Sequence, residues 1–396
     1  MGTVYYFDNT MANAPVLTGA DGAMLQILDA CLCNGFGTVT VDALTVVDEI
    51  ATATVSTGHG LAMYSDSALG PVIEISGATP DALNGQHRVT AVTNAAIFSF
   101  AVSGATDGTA SGTITAKRAA PGWQKVFSGT SKAAYRPPAG SRLYLRADDT
   151  GALEHAGYYG YCTLVRGYEQ MTDVDTGINP FPTPAQKGTK AWMKSYNNTS
   201  SARAWRLFAD DSRMLLFANW YGDSKLEPYL FGDLVSYRAA DTHPCLISGS
   251  ESFYRYGNPN TGHYNETLVN YGTTRPSYIA RETSLLAQPR AAHPLCVEST
   301  GAPLGSTATA QYPNPSDGAL HLRGPVEWLV FDSDNDLRGY WPGLYYPLHN
   351  TPMIDGAVIS GAAGLEGRAL MGVRIGGDDV TSVRTGQVFI DLADWS

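Results

Sequence analysis

Residues 87–102 read HRVTAVTNAAIFSFAV, and this stretch decides the fold class. Its two runs, HRVTAV and IFSFAV, are short, partly alternating and rich in β-branched and aromatic residues, with an Asn between them. Runs of this kind, bounded by turn residues, are typical of β-strands. Four similar runs lie nearby: VTV at 39–41, ATATV at 51–55, VIEI at 72–75 and TITA at 113–116. Together the six runs predict a small β-barrel or sandwich from about Val41 to Arg118.

Strand-like runs also dominate the rest of the chain, so the whole protein is predicted to be mainly β. They lie at residues 142–147, 158–165, 204–208, 214–220, 228–231, 234–237, 319–322, 326–331, 369–374 and 388–392. One segment differs, because its apolar residues recur at helical spacing; they are Met24, Leu25, Ile27, Leu28, Cys31 and Leu32. We expect Asp21 to cap this N-terminal helix and Asn34-Gly35 to end it.

Charge is scarce in the sequence and unevenly distributed. Charged residues make up 16% of the 396 residues, against roughly 25% in a typical soluble domain, and the formal net charge is −11. Residues 1–87 contain nine acidic residues and no Lys or Arg, so that Arg88 is the first basic residue. Such a start argues against a basic arm that binds nucleic acid or an anionic membrane surface.

Membrane and secretion signals are missing from the sequence. No run approaches the roughly 18–20 apolar residues of a membrane span, and the first residues lack the basic and apolar regions of a signal peptide. The five cysteines are an odd and scattered set, which does not fit a disulfide framework. We therefore expect a chain made in a reducing cytoplasm, with neither a membrane nor nucleic acid among its partners.

The usual enzyme motifs are also missing. The sequence has no Gly-x-Ser-x-Gly elbow, no phosphate-binding Gly-rich loop with Lys, and no His-Glu-x-x-His. A glycosidase could use two nearby carboxylates. Three acidic pairs qualify by spacing, but such pairs are ordinary at the turns of β proteins; they are Asp148 with Asp149, Asp173 with Asp175, and Asp210 with Asp211.

Two further motifs resemble metal sites only in part. Asp332, Asp334 and Asp336 alternate as in a calcium loop, but positions six and twelve hold Leu337 and Gly343 where an EF-hand has Gly and Glu. A solvated turn is the alternative interpretation, and ion binding there is left open. Cys31-Leu-Cys33 is too closely spaced for a zinc pair and is read as a core thiol with a neighbour. No catalytic, cofactor-binding or metal residue is therefore assigned.

Aromatic side chains are the remaining candidates for binding. Trp205 and Trp220 lie on strand patterns, where core packing is the better interpretation. The looser loop from Phe253 to Tyr278 is a better candidate for an interaction surface, exposed or covered by another subunit. Tyrosines of this loop, together with Tyr221 next to Trp220, could also stack on sugars; those of the loop are Tyr254, Tyr256, Tyr264 and Tyr271.

The first predicted β region resembles a module that recurs in virion proteins of tailed bacteriophages. The module is often likened to the first-catalytic-cysteine-half-domain (FCCH-like) module of ubiquitin-activating enzymes, a likeness of β-barrel fold that implies no ubiquitin chemistry. The matching segments are TGHGL at 57–61, VIEISGAT at 72–79, LNG at 83–85, RVTAV at 88–92 and IFSF at 97–100. Residues 62–70 depart from the pattern, because the family has a short Gly-Asp turn there.

The flanking sequence resembles uncharacterised structural proteins of phages and prophages of proteobacteria. The matches are VYYFD at 4–8, APVL at 14–17, LDACL at 28–32, NGFG at 34–37, GW at 122–123, FSGT at 127–130, YLRADD at 144–149, GYE at 167–169, MTDVDTG at 171–177, FP at 181–182, LRG at 337–339 and PGLYY at 342–346. By this analogy, residues 41–118 are inserted into a host domain made of residues 1–40 and 119–396, with a further subdivision near 245–315. Exposed loops tolerate such insertions.

The resemblance implies a non-enzymatic structural component of the virion. It would have a β-sandwich or barrel host domain with one N-terminal helix and an inserted small β-barrel module. We expect it in the tail, neck or baseplate, as a homo-oligomer that contacts other virion proteins in a symmetric assembly. The alternatives are a protein that binds a host receptor or surface glycan, a capsid decoration protein, and a carboxylate-based hydrolase.

The predicted boundaries also divide the acidic start of the chain. Residues 1–40 carry −3, residues 41–118 carry −4 and residues 119–396 carry −4. The two pieces that make up the acidic start lack positive charge where they join in the sequence. We therefore expect a neutral or basic partner at this junction, which argues against DNA there.

Overall fold

The structure is a computed structural model, and it describes residues 2–64, 69–155, 158–186, 190–196, 199–220, 226–251, 268, 277–281, 288–295, 314–330, 336–348, 355–376 and 385–395. The chain is mainly β with one short helix and curled sheets, as the sequence predicts. The helix α1 (Ala23–Leu28) continues as a π-helical turn (Asp29–Asn34), and a 3₁₀ turn covers Asp81–Leu83. In the part of the chain that the structure describes, no helix is long and apolar enough to cross a membrane.

The strands follow one another along the whole chain. The first nine are β1 (Tyr5–Asp8), β2 (Phe36–Thr40), β3 (Ala43–Val47), β4 (Ile50–Thr54), β5 (Val72–Ser76), β6 (Gly85–Asn94), β7 (Ile97–Ala101), β8 (Gly108–Thr109) and β9 (Thr115–Arg118). The next twelve are β10 (Gln124–Gly129), β11 (Lys132–Arg136), β12 (Tyr144–His155), β13 (Tyr158–Met171), β14 (Gly177–Phe181), β15 (Lys190–Tyr196), β16 (Trp205–Ala209), β17 (Arg213–Ala218), β18 (Glu227–Asp233), β19 (Val235–Ser236), β20 (Cys245–Ile247) and β21 (Ser250–Glu251). The last nine are β22 (Ser277–Ile279), β23 (Arg290–Pro294), β24 (Leu322–Arg323), β25 (Val326–Val330), β26 (Asp336–Trp341), β27 (Leu344–Pro347), β28 (Val358–Ala362), β29 (Leu365–Gly376) and β30 (Thr385–Asp391).

Three sheets form a sandwich of three layers. The central sheet has ten strands in the order β1-β16-β17-β18-β20-β22-β23-β25-β26-β19. A seven-stranded sheet has the order β10-β11-β12-β13-β15-β21, with β14 beside β13. It shares one hydrophobic core with one face of the central sheet. A five-stranded sheet, β24-β27-β30-β29-β28, shares a second core with its other face. The central strands are therefore buried on both faces, and every residue of β17 and β18 is buried.

The strands β2 to β9 form a separate eight-stranded sheet in the order β2-β9-β5-β6-β7-β4-β3-β8. This sheet has its own core, whose buried residues all lie between Val41 and Ala116. It contains every strand that the structure gives to residues 36–118. Seven of its strands, β3 to β9, lie in the segment 41–118 that the resemblance marks as inserted, whereas β2 precedes that segment and pairs with β9. The domain boundaries stay a prediction.

The N-terminal helix begins differently from the sequence prediction. Gly22, in the left-handed region at φ 80°, precedes the helix, and Asp21 makes no capping hydrogen bond. The backbone N–H of Met24 instead donates to Oδ2 of Asp149, 3.0 Å away. The predicted Asp21 cap is wrong because a buried carboxylate from a distant strand accepts a free N–H of the first turn. The predicted end is right: Gly35 follows the last turn at φ 70°.

Candidate functional sites

The adjacent residues Asp148 and Asp149 lie within strand β12 rather than at its end, so their side chains point in different directions. Asp149 is fully buried; its Oδ1 lies 2.6 Å from Nζ of Lys194 and accepts the Thr163 hydroxyl hydrogen bond at 2.6 Å. Burial raises the pKa of Asp149 in spite of that lysine. Asp148 is partly exposed and pairs with Arg146 at 3.0 Å and Lys132 at 3.4 Å. The two carboxylates therefore stabilise two separate sets of neighbours.

The other two acidic pairs lie at turns, as predicted. Asp173 and Asp175 are in the turn after β13, where Asp173 accepts the N–H of Asp175 at 2.8 Å. Asp210 is buried after β16, and its Oδ1 accepts the backbone N–H groups of Ser212 and Arg213, both at 2.8 Å. Burial raises the pKa of Asp210. A hydrolase needs a shifted carboxylate in a cleft. Asp149 instead bonds neighbours inside the seven-stranded sheet, and Asp210 accepts hydrogen bonds within a turn. Neither residue lines either of the pockets described below.

The candidate metal ligands are not brought together within the described residues. In this part of the chain no group of three or more His, Cys, Asp or Glu is arranged to hold a metal ion. Asp332 and Asp334 lie outside the described residues, and Asp336 is an exposed first residue of β26. Cys31 is buried on the apolar face of the helical segment, as predicted, and burial raises the pKa of its thiol well above the ordinary value.

The predicted aromatic surface can be located only in part. Trp205 and Trp220 are buried in the core between the ten- and seven-stranded sheets, as predicted. Most of the loop from Phe253 to Tyr278 lies outside the described residues, with Tyr221, Tyr254, Tyr256, Tyr264 and Tyr271 among them. Tyr278 itself is buried in strand β22.

A solvent-facing pocket of about 370 Å³ was not predicted from the sequence. Tyr237 and Tyr340 form its aromatic wall, with ring centres 5.9 Å apart and planes tilted by 50°. Tyr237 is 53% exposed, and its hydroxyl donates to a carboxylate oxygen of Glu327. Partial burial and this hydrogen bond raise the pKa of Tyr237 to about 12, which keeps the phenol protonated at neutral pH. Arg323 also lines the pocket.

An exposed apolar hairpin tip was also not predicted. Val47 and Ile50 face each other across the turn between β3 and β4 and are 58% and 41% exposed. Asp48 and Glu49 form the turn with φ values of 51° and 60°, the left-handed conformation that two-residue hairpin turns require. Two side chains brace it: Oδ1 of Asp107 accepts the Asp48 N–H at 3.0 Å, and Oε1 of Glu49 accepts the Gly104 N–H at 2.8 Å. Both turn residues are therefore hydrogen-bonded to neighbouring segments, while the two apolar side chains stay exposed.

The signal for both sites was weak in the sequence. The segment ALTVVDEIATAT at 43–54 holds two apolar runs around an acidic pair, but Asp-Glu lacks the Gly or Asn that marks a hairpin turn. The tyrosine pocket joins residues about a hundred positions apart, which no local pattern reveals. No protein-family model matches the chain. A search of curated proteins likewise found no match, so the resemblance to phage proteins stays a prediction.

Proposed function

We propose that the chain is a non-enzymatic structural component of a tailed-phage virion, made in the bacterial cytoplasm and acting through contacts with other virion proteins. The sequence motifs quoted above support this assignment, and the hairpin tip at Val47 and Ile50 is the structural observation that carries it. A tail, neck or baseplate position is proposed from the same resemblance, with capsid decoration as the alternative.

The hairpin tip suits a permanent protein contact for a physical reason. Two apolar side chains are held in solvent by a turn that is already ordered, so binding would cost little further conformational entropy. Removing such side chains from water is favourable at roughly 25 cal/mol per Å² of apolar surface. Rotational symmetry would repeat this small contact in every copy, which is how modest interfaces build stable rings.

The composition of purified particles tests the proposal. Particles from an induced lysate of the strain that encodes the chain should contain it in a fixed ratio to the major virion proteins, measured by quantitative mass spectrometry. Gold-labelled antibodies should mark one position on each particle, at the tail, neck or baseplate. The absence of the chain from purified particles would refute the structural assignment.

A matched pair of variants tests the role of the tip. The Val47→Ser/Ile50→Ser double variant should lose incorporation or oligomerisation while it keeps its thermal unfolding temperature. Thr45→Ser/Thr52→Ser is the control, because this pair lies on the same hairpin and the serine hydroxyls keep the hydrogen bonds to Thr109 and Ser99. Equal incorporation of the two double variants would show that the tip is not part of the assembly contact.

We infer a glycan-binding role as the second candidate, because one observation favours it. The pocket of Tyr237 and Tyr340 combines two accessible aromatic faces with a carboxylate, Glu327, and a guanidinium, Arg323. Aromatic faces and a few placed polar groups are the usual lining of sites for small polar ligands with apolar faces, such as sugar rings. This site differs from the predicted loop between Phe253 and Tyr278.

A glycan array separates this second candidate from the first. Tyr237→Ala should abolish binding to any saccharide that the wild-type chain retains, and Tyr237→Phe should keep the stacking face and part of the affinity. Tyr144→Ala is the control, since Tyr144 is also partly exposed and packs on an aromatic ring but lies on another sheet. If the wild-type chain retains no saccharide, the glycan hypothesis fails while the structural proposal stands.

A further inference from the structure

A second pocket, of about 290 Å³, lies where three stretches of the chain meet. The first stretch contains strand β1 and the residues that follow it, the second belongs to the eight-stranded sheet and its loops, and the third comes from the five-stranded sheet. The wall is part apolar and part charged; the residues that matter below are Asp8, Met11, Met63, Arg118 and Met371. The junction between the segment 41–118 and the rest of the chain therefore encloses a cavity.

Arg118 at the end of β9 is a buried cation that forms no direct ion pair within the described residues. It is 4% exposed, and the only hydrogen bond that the described residues give its guanidinium runs from Nη2 to the carbonyl oxygen of Gly60. Its Nε is buried with no hydrogen-bond partner. The guanidinium carbon lies 5.6 Å from the centre of the Phe36 ring. Burial lowers the pKa of Arg118, although its guanidinium stays charged at any ordinary pH.

Among the described residues the charge of Arg118 is compensated only in part, because Asp8 acts on it through space without forming an ion pair. Arg88 lies at the same junction, and in this part of the chain its guanidinium donates to the backbone oxygens of Gly70 and Val4, at 2.9 and 3.0 Å. Asp8 is the acid on the pocket wall, and both of its oxygens are engaged: Oδ2 accepts the hydroxyl of Tyr6, and Oδ1 accepts the N–H and hydroxyl of Thr10. Arg88 and Arg118 therefore place two guanidinium groups at the spatial junction, beside the carboxylate of Asp8, although the sequence around it is acidic.

We propose that this pocket binds a carboxylate group, which pairs with the guanidinium of Arg118. A buried guanidinium with an unbonded Nε and no direct ion pair among the described residues bears a desolvation cost, and a planar carboxylate matches its donor geometry. Asp8 on the wall repels any anion, and it repels a doubly charged phosphate more strongly than a singly charged carboxylate. Met11, Met63 and Met371 give the cavity an apolar side, which suits a carboxylate with a short hydrocarbon chain.

Calorimetric titration with butyrate tests the proposal, with the uncharged butyramide as the matched ligand and NaCl used to hold ionic strength constant. The wild-type chain should bind butyrate at concentrations up to about 10 mM and butyramide at least about tenfold more weakly. Inorganic phosphate should also bind more weakly than butyrate. No heat with butyrate, or equal affinity for its amide, would overturn the proposal.

Two variants connect the binding to Arg118. Arg118→Gln should lose at least about tenfold in affinity for butyrate. Arg136→Gln is the control, because Arg136 also lies over an aromatic ring, that of Tyr144 at 5.0 Å, and donates to a backbone carbonyl, but on a different sheet. Unchanged affinity in Arg118→Gln would refute the assigned ligand group.

A pocket-filling variant keeps the proposal testable if Arg118→Gln fails to fold. Ala62 is exposed at the rim of the cavity, so Ala62→Phe should block it without removing the charge. Butyrate binding should be lost in this variant, and binding as tight as in the wild type would contradict the pocket.

Native mass measurement distinguishes a free carboxylate from one on a protein side chain. If the acid belongs to a second copy of the chain, butyrate should lower the oligomeric fraction of the wild type, and Arg118→Gln should have a low fraction from the start. If the ligand is a small molecule, butyrate should leave the mass unchanged while it still binds.

Discussion

Two buried cations in this protein, Lys194 and Arg118, differ in the partners that surround their charge. Lys194 is fully buried in β15, where Nζ lies 2.6 Å from Oδ1 of Asp149 and donates to the carbonyl oxygen of Ala20 at 2.7 Å. Arg118 is almost as deeply buried but has one backbone carbonyl, one aromatic ring and a cavity beside it. Lys194 thus has a carboxylate and a carbonyl as close internal partners, whereas Arg118 has no direct ion pair among the described residues.

The comparison separates structural charge from charge that is available to a ligand. Asp149 and Lys194 pair within the seven-stranded sheet, and their hydrogen bonds with the Met24 N–H and the Ala20 carbonyl link that sheet to the N-terminal segment. A network with every member bonded stabilises the fold, whereas an unpaired buried charge persists only where something else compensates for it. The predictions below test this distinction in order of decreasing effect.

The largest effect is expected for Lys194→Met, which leaves Asp149 buried without its partner. Breaking a buried ion pair from one side typically costs about 3–5 kcal/mol of unfolding free energy. Lys132→Met is the matched control, because Lys132 pairs with the neighbouring Asp148 but both side chains are partly exposed, at 29% and 16%. An exposed pair is worth about 0–1 kcal/mol. Urea unfolding measures both, and similar losses for the two variants would contradict the structural role of the buried pair.

A second effect concerns a buried group that stays neutral. His293 in β23 is 4% exposed, and burial together with the nearby Lys190 lowers its pKa to about 4. The ordinary pKa is 6.5, so the unfolded chain takes up a proton first as the pH falls. The contribution of neutral His293 to the free energy of unfolding is fully present above about pH 6.5. It is lost progressively between pH 6.5 and 4, by up to roughly 2–3 kcal/mol.

Urea unfolding at a series of pH values checks this expectation. His293→Gln should flatten the fall in unfolding free energy between pH 6.5 and 4. His321→Gln is the control, because His321 is partly exposed and pairs with the exposed Asp317. If the slope of the wild type persists in His293→Gln, another group causes it.

An intermediate effect is expected at Glu169 in β13, whose pair with Arg281 is partly buried. Burial raises the pKa of Glu169, but hydrogen bonds from Arg281 and Asn179 outweigh it, and the net pKa lies below the ordinary value. Its contribution to stability is therefore present above about pH 4.5 and lost as the pH falls through the lower folded-state pKa. Glu169→Gln should cost about 1–2 kcal/mol at pH 7, as for hydrogen bonds to charged groups, and less at pH 3. Equal losses at both pH values would exclude the charge as the cause.

The sequence predicted the local features of this fold and missed the long-range ones. The helix and most strands of the eight-stranded sheet follow from spacing and composition. Strand β15 reads KAWMKSY, and its two lysines argue against burial until the fold brings Asp149 to Lys194. The prediction of an Asp21 cap was wrong for the same reason, since the carboxylate that accepts the Met24 N–H belongs to Asp149 in β12. The two pockets join segments that are distant in sequence, so composition could not have located them.

The smallest effect is expected for Arg118→Gln in the absence of any ligand. The substitution removes the hydrogen bond to Gly60 and the contact with Phe36, which costs stability, but it also removes a buried charge that has no direct ion pair among the described residues, which offsets that cost. The two effects oppose each other, so the unfolding free energy should change by no more than about 1 kcal/mol. A loss as large as that of Lys194→Met would show that Arg118 is as fully partnered as Lys194, and the two cations would then belong to one class. Butyrate should raise the unfolding temperature of the wild type and leave that of Arg118→Gln unchanged, because a ligand stabilises only the form that binds it.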